Sequence, residues 1–504
     1  MSPYTLIIGD GPCAQRIETG LAALDLPARR VSPEEILACR GTVGDFAVRI
    51  NQNGGKDTET VGGVVIAAED RREPNFAPYG LAPAPSVVPL SDWRPPRFPE
   101  SLETSEVSPE TGPVVFILSL LTENIPTVAR DVMTAARSAA EAGRTTYILT
   151  RHLKVAGDGL EALYHQCRDA GVGFVKLFTE PPEIHRTGDA VEITFLDDMT
   201  GERFRLRPAL TVVDETIRPN RSLRRLAEVF RLRRGPDGFI QTDNVHRISV
   251  DTHRVGILAA GPARCPQSPA DHLTDADDAV LRIQARVTET GDRPATVAEI
   301  ERYACVRCFT CYRLCPYGAV LVHPTRMEAV AAACQGCGLC AAECPREAIS
   351  FPDPALAGLS DRIASARKTS PGETPLLVAF CCNRSAAQAL ETAKAEGVSL
   401  PEGLLTVTVP CAGAVSATAI LNAFTAGADG VALLTCHPGN CHAETGNLHA
   451  LARAEEIRRI MTSADIAPER LLSATLAANM PAECARYLAD FEQTVAGRSA
   501  AGSS

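Results

Sequence analysis

The sequence predicts a multidomain α/β protein, and three observations support this fold class. The chain opens with a buried strand at residues 4–8, which runs into a glycine turn and then a helical pattern. Residues 305–345 contain one cysteine run twice. From residue 376 onward, apolar strands alternate with helical segments, and cysteines follow the strands. A chain of 504 residues is long enough for about three domains.

Composition narrows the functional class. Hydrophobic and charged shares of 45% and 22% are ordinary for a soluble globular protein, and a net charge of −11 argues against a nucleic-acid surface. The first residues have neither a basic start nor a small-residue cleavage site, so no signal peptide is predicted. No run of 18 apolar residues predicts a membrane span, and the expected location is cytoplasmic. In that compartment, repeated sets among 18 cysteines are typical of metal ligands.

The repeated cysteine run is the most specific motif. Residues 305–316 read C-x2-C-x2-C-x3-C-P, and residues 334–345 repeat this pattern. The pair is the bacterial ferredoxin arrangement for two [4Fe–4S] clusters, in which the fourth thiolate of each run reaches the other cluster. The predicted ligands are Cys305, Cys308, Cys311 and Cys344 for one cluster, and Cys334, Cys337, Cys340 and Cys315 for the other.

Zinc and disulfides are the alternatives for these eight cysteines. Zinc sites usually combine two C-x2-C pairs around one metal, and two complete four-cysteine runs do not match that pattern. Disulfides need an oxidising compartment, which the sequence does not indicate. Two iron–sulfur clusters are therefore the favoured interpretation.

The opening segment carries a dinucleotide-binding fingerprint. Gly9, Gly11 and Ala14 form G-x-G-x-x-A between the first strand and the first helix. The second glycine of such a turn lets a pyrophosphate approach the helix N-terminus, which makes FAD a candidate cofactor. The second strand, at 28–31, ends without the acid that binds ribose hydroxyls, since the first acid is Glu34. A Rossmann-like turn that binds nothing is the alternative.

A second α/β pattern, at residues 113–176, predicts a two-dinucleotide-type flavoprotein fold that is partly degenerate. The turn after its first strand, residues 119–124, has no glycine, so a pyrophosphate has no room to approach its backbone. This part is predicted to be structural and not an NAD(P)H site. A β meander is expected at 191–250. The strand from Gly256 to Gly261 is expected to place a helix N-terminus at a flavin ribityl phosphate, with both glycines as cofactor contacts.

The C-terminal α/β segment has cysteines after its strands. Predicted strands at 376–380, 405–409 and 430–434 are each followed by cysteine, and open parallel sheets bind ligands at the carboxyl ends of their strands. Four thiolates suit a [2Fe–2S] cluster. The alternatives are zinc, or a Rieske-type site in which His437 or His442 replaces a cysteine, although a supporting or capping role for these histidines is preferred. The predicted ligands are Cys382, Cys411, Cys436 and Cys441.

These motifs resemble two known families. The segments Phe380-Cys-Cys-Asn, Pro410-Cys-Ala-Gly and Cys436-His-Pro-Gly-Asn-Cys441-His, followed by Gly446-Asn447, are similar to the iron–sulfur delta subunit of methyl-viologen-reducing hydrogenase, which links hydrogenases to heterodisulfide reductase. Residues 1–353 resemble the flavin and ferredoxin parts of the A subunit of heterodisulfide reductase. A fusion of these parts also resembles the B subunit of the quinone-interacting oxidoreductase complex.

The chain departs from these families at three places. It is short between the first helix and the first meander, and residues 124–133 lack the cysteine cluster that the family usually has there. Ser385 stands where the small hydrogenase subunit has the second cysteine of a C-x2-C pair. The [2Fe–2S] prediction therefore requires Cys382 to join three cysteines from farther along the chain.

The resemblance implies an electron-transfer subunit of a multisubunit redox complex. Electrons would pass among FAD, two [4Fe–4S] clusters and one [2Fe–2S] cluster to partner subunits, such as heterodisulfide-reductase-like B and C subunits, a hydrogenase or a dehydrogenase. No acid, base or nucleophile constellation stands out, so no catalytic residue is assigned and the cofactors would carry the chemistry. Two alternatives stay open: a flavin-dependent NAD(P)H oxidoreductase, and an assembly scaffold with a vestigial flavin site that carries only the iron–sulfur relay.

The domain boundaries expected from these motifs divide the chain into five parts. The Rossmann-like flavin or scaffold domain covers 1–292, with parts at 1–106, 107–250 and 251–292. The remaining parts are the ferredoxin domain 293–355, a linker 356–375 that begins as a helix, the delta-subunit-like domain 376–495, and a disordered tail 496–504.

Overall fold

The computed structural model describes residues 4–52, 55–94, 112–121, 123, 125–240, 250–288, 297–331, 333–369 and 374–501. The predicted boundaries at 106–107 and 292–293 lie outside these ranges, as do the last three residues of the predicted tail. No helix within these ranges is both long enough and apolar enough to cross a membrane.

The N-terminal half contains five helices and seventeen strands among the described residues. Residues 4–94 form α1 (Pro12–Ala23), β1 (Thr5–Ile8), β2 (Ala28–Val31), β3 (Ile36–Thr42), β4 (Asp45–Gln52), β5 (Gly55–Val61), β6 (Gly63–Ile66), β7 (Asp70–Pro74) and β8 (Val87–Pro89). Residues 112–288 form α2 (Pro126–Glu141), α3 (Leu160–Asp169), α4 (Arg221–Val229), α5 (Pro269–Thr288), β9 (Val114–Leu118), β10 (Thr146–Thr150), β11 (Gly173–Lys176), β12 (Glu183–Thr187), β13 (Ala190–Leu196), β14 (Arg203–Leu206), β15 (Leu210–Val213), β16 (Glu215–Pro219) and β17 (Ile257–Ala259).

The first sheet is parallel and has the order β17-β6-β1-β2. Helices α1 and α5 pack on one face through residues such as Ile17 and Val280. The antiparallel sheet β3-β4-β5 covers the other face. Because both faces are covered, β1 is buried along its whole length, which explains its continuous apolar sequence.

The second sheet is also parallel and has the order β11-β10-β9-β15-β8. Helices α2 and α3 cover one face, and the meander β12-β13-β14 covers the other. The antiparallel pair β7–β16 connects the two sheets. The predicted α/β fold with two Rossmann-like units is confirmed. One detail is wrong: the strand at 210–213 was expected in the meander, but all four of its residues are buried and it pairs in parallel with β9 and β8.

The ferredoxin domain is small and lies against the first sheet. It contains β18 (Glu299–Ile300), α6 (Thr310–Leu314), β19 (Val320–Val322), β20 (Met327–Ala329), α7 (Leu339–Ala342) and β21 (Ile349–Ser350), with the antiparallel pairs β18–β21 and β19–β20. Gly318 packs on Arg254, where a Cβ at the glycine would lie 2.7 Å from the arginine Nε. Since Arg254 precedes β17, this contact is at the amino end of the parallel strands, opposite the turn that contains Gly9 and Gly11.

The segment 356–375 is not a free linker. It forms α8 (Leu359–Thr369), whose Leu359 and Ile363 are buried in the core of the C-terminal domain. The sequence predicted a helix here but assigned it to a linker, because an 11-residue helix with a polar majority does not reveal which core it joins.

The C-terminal domain is a three-layer α/β fold. Its sheet has the order β23-β22-β24-β25, with every pair parallel. Helices α9 and α12 cover one face, and α8, α10 and α11 cover the other. The elements are β22 (Leu377–Cys382), α9 (Ala386–Ala395), β23 (Leu404–Val409), α10 (Ala417–Thr425), β24 (Gly430–Thr435), α11 (Gly446–Ser463), β25 (Leu471–Thr475) and α12 (Pro481–Ala501).

The tail predicted to be disordered from residue 496 is helical as far as Ala501. Phe491 and Val495 anchor α12 in the core, and the alanines that follow have a high helix propensity. The prediction is therefore wrong for residues 496–501.

Candidate iron–sulfur sites

The first cysteine set gathers around one pocket of the ferredoxin domain. Cys305, Cys308, Cys311 and Cys344 line one small pocket, together with apolar side chains such as Ile300, Met327 and Ile349. Burial, together with the neighbouring charges of the other three cysteines, raises the pKa of the Cys311 thiol to about 11. The three cysteines of one run and the last cysteine of the other run are thus neighbours, as the crossed ligand sets require.

The local backbone explains how three cysteines of one run face a common point. Arg307 and Phe309 adopt left-handed φ values of 54° and 64°, and Gly338 in the second run has φ 71°. These residues curl each loop tightly before its short helix. The fourth cysteine of each run receives a backbone donor, since Ala348 N lies 3.3 Å from Cys344 Sγ and Ala319 N lies 3.3 Å from Cys315 Sγ. Amide donors of this kind stabilise thiolate sulfur.

The second set is assembled in the same way. Cys340 is buried, and after burial the charges of Cys337, Cys315 and Cys334 contribute most to the increase in its pKa. Burial raises the pKa of Cys337 to about 12, with contributions from Cys315 and Cys334. Cys315 therefore lies with the second run, although it belongs to the first in sequence.

The third set lies at the carboxyl ends of the C-terminal strands. Cys382 ends β22, Cys411 follows β23, and Cys436 and Cys441 follow β24. All four are buried, and hydrogen bonds between thiols join Cys382 to Cys436, Cys436 to Cys441, and Cys441 to Cys411. The hydrogen bond from Cys436 lowers the pKa of Cys382 to about 6. The four predicted ligands are thus brought together at the point where chain order reverses across the sheet.

Strand alternation selects Cys382 over its neighbour. Cys382 packs in the core layer that contains Cys411 and Cys441, whereas Cys381 packs in the opposite layer with Cys484. The sequence predicted Cys382 as the ligand, and the pleat of β22 explains why this cysteine, and not Cys381, faces the site.

Two residues next to the third set were not assigned a role from sequence. Gly446 begins α11, and a Cβ there would lie 2.4 Å from Cys411 Sγ, so only glycine leaves room for that sulfur. Asn447 is fully buried, and its Nδ2 donates to the carbonyl oxygen of Cys436 at 2.9 Å, which fixes the loop. The sequence showed both residues as part of a motif, but the close approach depends on tertiary packing.

The nearby histidines and serine contact other groups or support the site. His437 Nε2 lies 3.4 Å from Met480 Sδ, and the His442 ring lies 6.3 Å from that of Tyr317. Ser385 is buried beside Cys382, and its hydroxyl helps to lower the pKa of that thiol. Within the described ranges, no three His, Cys, Asp or Glu side chains are arranged to hold a single metal ion.

The three sets follow one another in space. The charge of Cys311 in the first set contributes to the raised pKa of Cys340 in the second, so the two thiols are close. In the same way, the charge of Cys441 in the third set contributes to the raised pKa of Cys337, and the charge of Cys337 contributes to the raised pKa of Cys411. The contact between the domains is close, because a Cβ at Gly338 would lie 2.6 Å from Ala414 Cβ. The second set therefore lies between the other two.

The predicted flavin turn has the expected backbone but not the expected space. A Cβ at Gly9 would lie 2.1 Å from Ala67 O, and at Gly11 it would lie 1.5 Å from Glu69 Oε1. The side chain of Glu69 therefore covers the place where a pyrophosphate would approach Gly11. Burial raises the pKa of Glu69, and the charges of Asp70 and Asp10 raise it further. Ala14 is buried and lets α1 pack closely on this turn.

A second carboxylate occupies the other predicted phosphate contact. The amide of Gly261 donates to Asp275 Oδ2 at 3.0 Å, and Arg264 pairs with the same carboxylate at 2.8 Å. Gly256 does not join this group, because it precedes β17 and packs on Val43 and Phe46 at the opposite end of the sheet. The carboxylates at both phosphate positions do not fit the pyrophosphate of FAD.

The second Rossmann-like unit is closed in a similar way. Asp214 follows β15, is buried, and accepts hydrogen bonds from Ser119 N at 2.6 Å and Asn75 Nδ2 at 3.0 Å. Burial raises the pKa of Asp214. Its carboxyl group accepts the hydrogen bond of the Ser119 amide, in the turn after β9. The phosphates of a nucleotide would bind at this turn in a functional unit. This geometry agrees with the prediction that the unit is structural.

Comparisons with known proteins find relatives for both halves of the chain. The family described as methyl-viologen-reducing hydrogenase, delta subunit, matches residues 377–497. The iron-sulfur D subunit of the F420-non-reducing hydrogenase of Archaeoglobus profundus is 34% identical over 121 residues, which are 24% of this chain and 88% of that protein. The A subunit of the ferredoxin:CoB-CoM heterodisulfide reductase of Methanosarcina mazei is 23% identical over 326 residues, or 63% of this chain.

The chain covers only 40% of that reductase subunit, so the two proteins differ in extent. Among solved structures, thioredoxin reductase of T. acidophilum matches 56% of this chain and 98% of its own at 13% identity, with a TM-score of 0.38. Through its C-terminal domain the chain belongs to the methyl-viologen-reducing hydrogenase delta-subunit family, fused here to a region similar to the A subunit of heterodisulfide reductase.

Proposed function

We propose that this protein is an electron-transfer subunit whose relay consists of two [4Fe–4S] clusters and one [2Fe–2S] cluster. The observation that carries the proposal is the spatial succession of the three cysteine sets, with the second set between the other two. Iron–sulfur clusters would supply one-electron redox chemistry. The cysteines of this chain would hold them, and the amide donors at Cys315, Cys344 and Cys411 would stabilise their sulfur ligands.

The two ends of the relay differ in exposure. Cys308 of the first set is exposed, and beside it Tyr303 and Val306 are 91% and 61% exposed. All four cysteines of the third set are buried. The first set is therefore the end that a redox partner reaches directly, whereas the third receives or delivers electrons through the second set or through a partner that contacts its covering layer. Partner subunits of a heterodisulfide-reductase-like or hydrogenase-like complex are the proposed exchange partners.

The Rossmann-like half serves, in this proposal, as a scaffold without flavin. Glu69 and Asp275 support this role, because each carboxylate occupies a place where an FAD phosphate would need a donor. The alternative of a flavin-dependent NAD(P)H oxidoreductase lacks support for the same reason, and because Asp214 occupies the corresponding turn of the second unit.

The test uses two adjacent cysteines of β22. The full-length chain, purified without oxygen, is expected to hold about ten irons, and Cys382→Ser about eight, because only the [2Fe–2S] cluster is lost. Cys381→Ser is the matched control, since Cys381 lies on the same strand but faces the other layer, and its iron content should equal that of the wild type.

The relay itself is tested by EPR during stepwise reduction. In the wild type, reduction of the second cubane should broaden the signal of the C-terminal cluster, because Cys337 and Cys441 are neighbours. The C-terminal signal itself should be absent in Cys382→Ser, whereas the signal and its broadening should both be present in Cys381→Ser. A C-terminal signal that is indifferent to the state of the cubanes, or stoichiometric zinc in place of iron, would refute the relay.

A further inference from the structure

A cleft of about 670 Å³ lies between the first Rossmann-like unit and the ferredoxin domain. Its walls come from β3, from the segments around residues 231 and 254, and from α6 and β19. The polar side chains of the lining include four arginines, one histidine and one tyrosine. These residues are Arg40, Arg231, Arg254, Arg313, His323 and Tyr312.

The charge of this cleft has one sign. No aspartate or glutamate lines it, and among the described residues none of the four arginines forms an ion pair with a carboxylate. His323 does pair with Glu328 at 3.0 Å, but Glu328 is outside the lining. The whole chain carries a net charge of −11, so a concave surface with a local excess of positive charge is not expected from the overall composition. Such a cleft concentrates anions.

The walls of the cleft hold two of the arginines in place. Arg254 is 5% exposed and donates to the carbonyl oxygens of Phe230 at 2.8 Å and Gly41 at 3.1 Å. The guanidinium group of Arg231 lies 4.4 Å from the centre of the Tyr312 ring and donates to the backbone oxygen of the same residue at 3.3 Å. These two cations are fixed before any ligand arrives, which lowers the entropy lost on binding.

Arg40 and Arg313 complete the cleft differently. Both are exposed and have no side-chain hydrogen bond within the described part of the chain. Their donors are therefore available to a ligand. A guanidinium group presents paired N–H donors that match the oxygens of a phosphate or carboxylate group.

We propose that this cleft binds a small organic phosphate with a flat ring, the chemistry of a nucleotide. The phosphates would contact Arg40 and Arg313, and the ring would pack on the wall formed by Arg231 and Tyr312. A volume of 670 Å³ lies within the range of small-molecule pockets, and concave sites of this size suit a small ligand better than the flat surface of a protein partner. The cleft is at the amino end of the first sheet, so it is distinct from the glycine turn of Gly9 and Gly11.

The location gives the site a second consequence, which rests on the proposed relay. Phe309 lines both this cleft and the pocket of the first cysteine set. Arg254 also lies close enough to Cys315 of the second set for the two charges to interact. A bound anion would add negative charge beside both clusters, and their midpoint potentials would fall because the oxidised form carries less negative charge.

Calorimetry on the purified full-length chain tests the binding site independently of the relay. The probes are inorganic pyrophosphate and ADP, and ADP should bind more tightly because it also has a ring. The double variant Arg40→Gln/Arg313→Gln should bind both probes about tenfold more weakly or worse, since each lost contact is a charged hydrogen bond. The double variant Arg205→Gln/Arg224→Gln changes the net charge equally at two exposed arginines elsewhere and should bind like the wild type.

Three results would overturn the proposal. One is equal affinity of the wild type and the cleft variant, and another is no binding of either probe at millimolar concentration. The third is binding of a polyglutamate peptide but of neither small anion, which would make the cleft a docking surface for an acidic protein. Anion binding with unchanged midpoint potentials would leave the site standing and remove only its link to the relay.

Discussion

Replacement of Gly446 by alanine should remove the C-terminal cluster and leave the two cubanes in place. The added Cβ would lie 2.4 Å from Cys411 Sγ and 3.4 Å from Ala443 Cβ, so the sulfur has to move by about 1 Å to reach an ordinary contact. Overpacking of this kind costs about 1–3 kcal/mol. Alanine gains at most about 1 kcal/mol of helix propensity over glycine, and less at the first residue of a helix. The net result is a displaced ligand and a C-terminal domain destabilised by about 1–2 kcal/mol.

The assay combines iron analysis, EPR and calorimetric unfolding of the full-length chain. Gly446→Ala should lose about two irons and the [2Fe–2S] signal. Gly497→Ala is the matched control, because Gly497 also lies in a helix of this domain and a Cβ there meets nothing within 4 Å. The control should keep its iron and gain slightly in stability. Wild-type iron content, an unchanged spectrum and no loss of stability in Gly446→Ala would refute the assigned packing around Cys411.

Three further predictions test the other parts of the molecule. Glu69→Gly removes the carboxylate above the glycine turn and should raise the affinity for FAD about tenfold or more in a fluorescence titration; stoichiometric FAD in the wild type would contradict this. Burial raises the pKa of Asp214, so its contribution to the free energy of unfolding is greatest below the unfolded-state value of about 3.9 and is lost as pH rises through the raised value. The stability of the wild type relative to Asp214→Asn should therefore fall as the pH rises above about 4. Unfolding can be followed by the fluorescence of Trp93, the one tryptophan of the chain, and a stability difference that grew with pH would contradict the prediction. Arg453 is 8% exposed and pairs with Glu343 of the ferredoxin domain. Arg453→Met should lower the free energy of unfolding by about 2–4 kcal/mol in calorimetry, whereas Arg459→Met, at an exposed ion pair, should lower it by under about 1 kcal/mol. Equal effects of the two variants would argue against the interface.

Much of the fold could be predicted because its signals are local. The strand, glycine turn and helix at the start of the chain are contiguous in sequence, and so are the strands whose carboxyl ends carry Cys382 and Cys436. The packing of α8 and the end of α12 were harder to predict. The sequence of α8 does not show which core its buried face joins, and the last turn of α12 continues a helix that is anchored earlier by Phe491 and Val495. Likewise, Leu210–Val213 follows the strands of the meander in sequence, but in the structure it is buried within a parallel sheet.

The candidate sites divide in the same way. By itself, the sequence determined the identity of the cysteines in the two ferredoxin runs and their crossed pairing, because the spacing within a single short loop restricts which sulfurs can share a cluster. Only the tertiary structure decided which residues surround Gly11 and Cys411. Glu69 follows β6, which pairs with β1, and this pairing carries its carboxylate over the glycine turn. Contacts between residues so far apart in sequence depend on strand order and helix packing, and neither is encoded in any one segment of the chain.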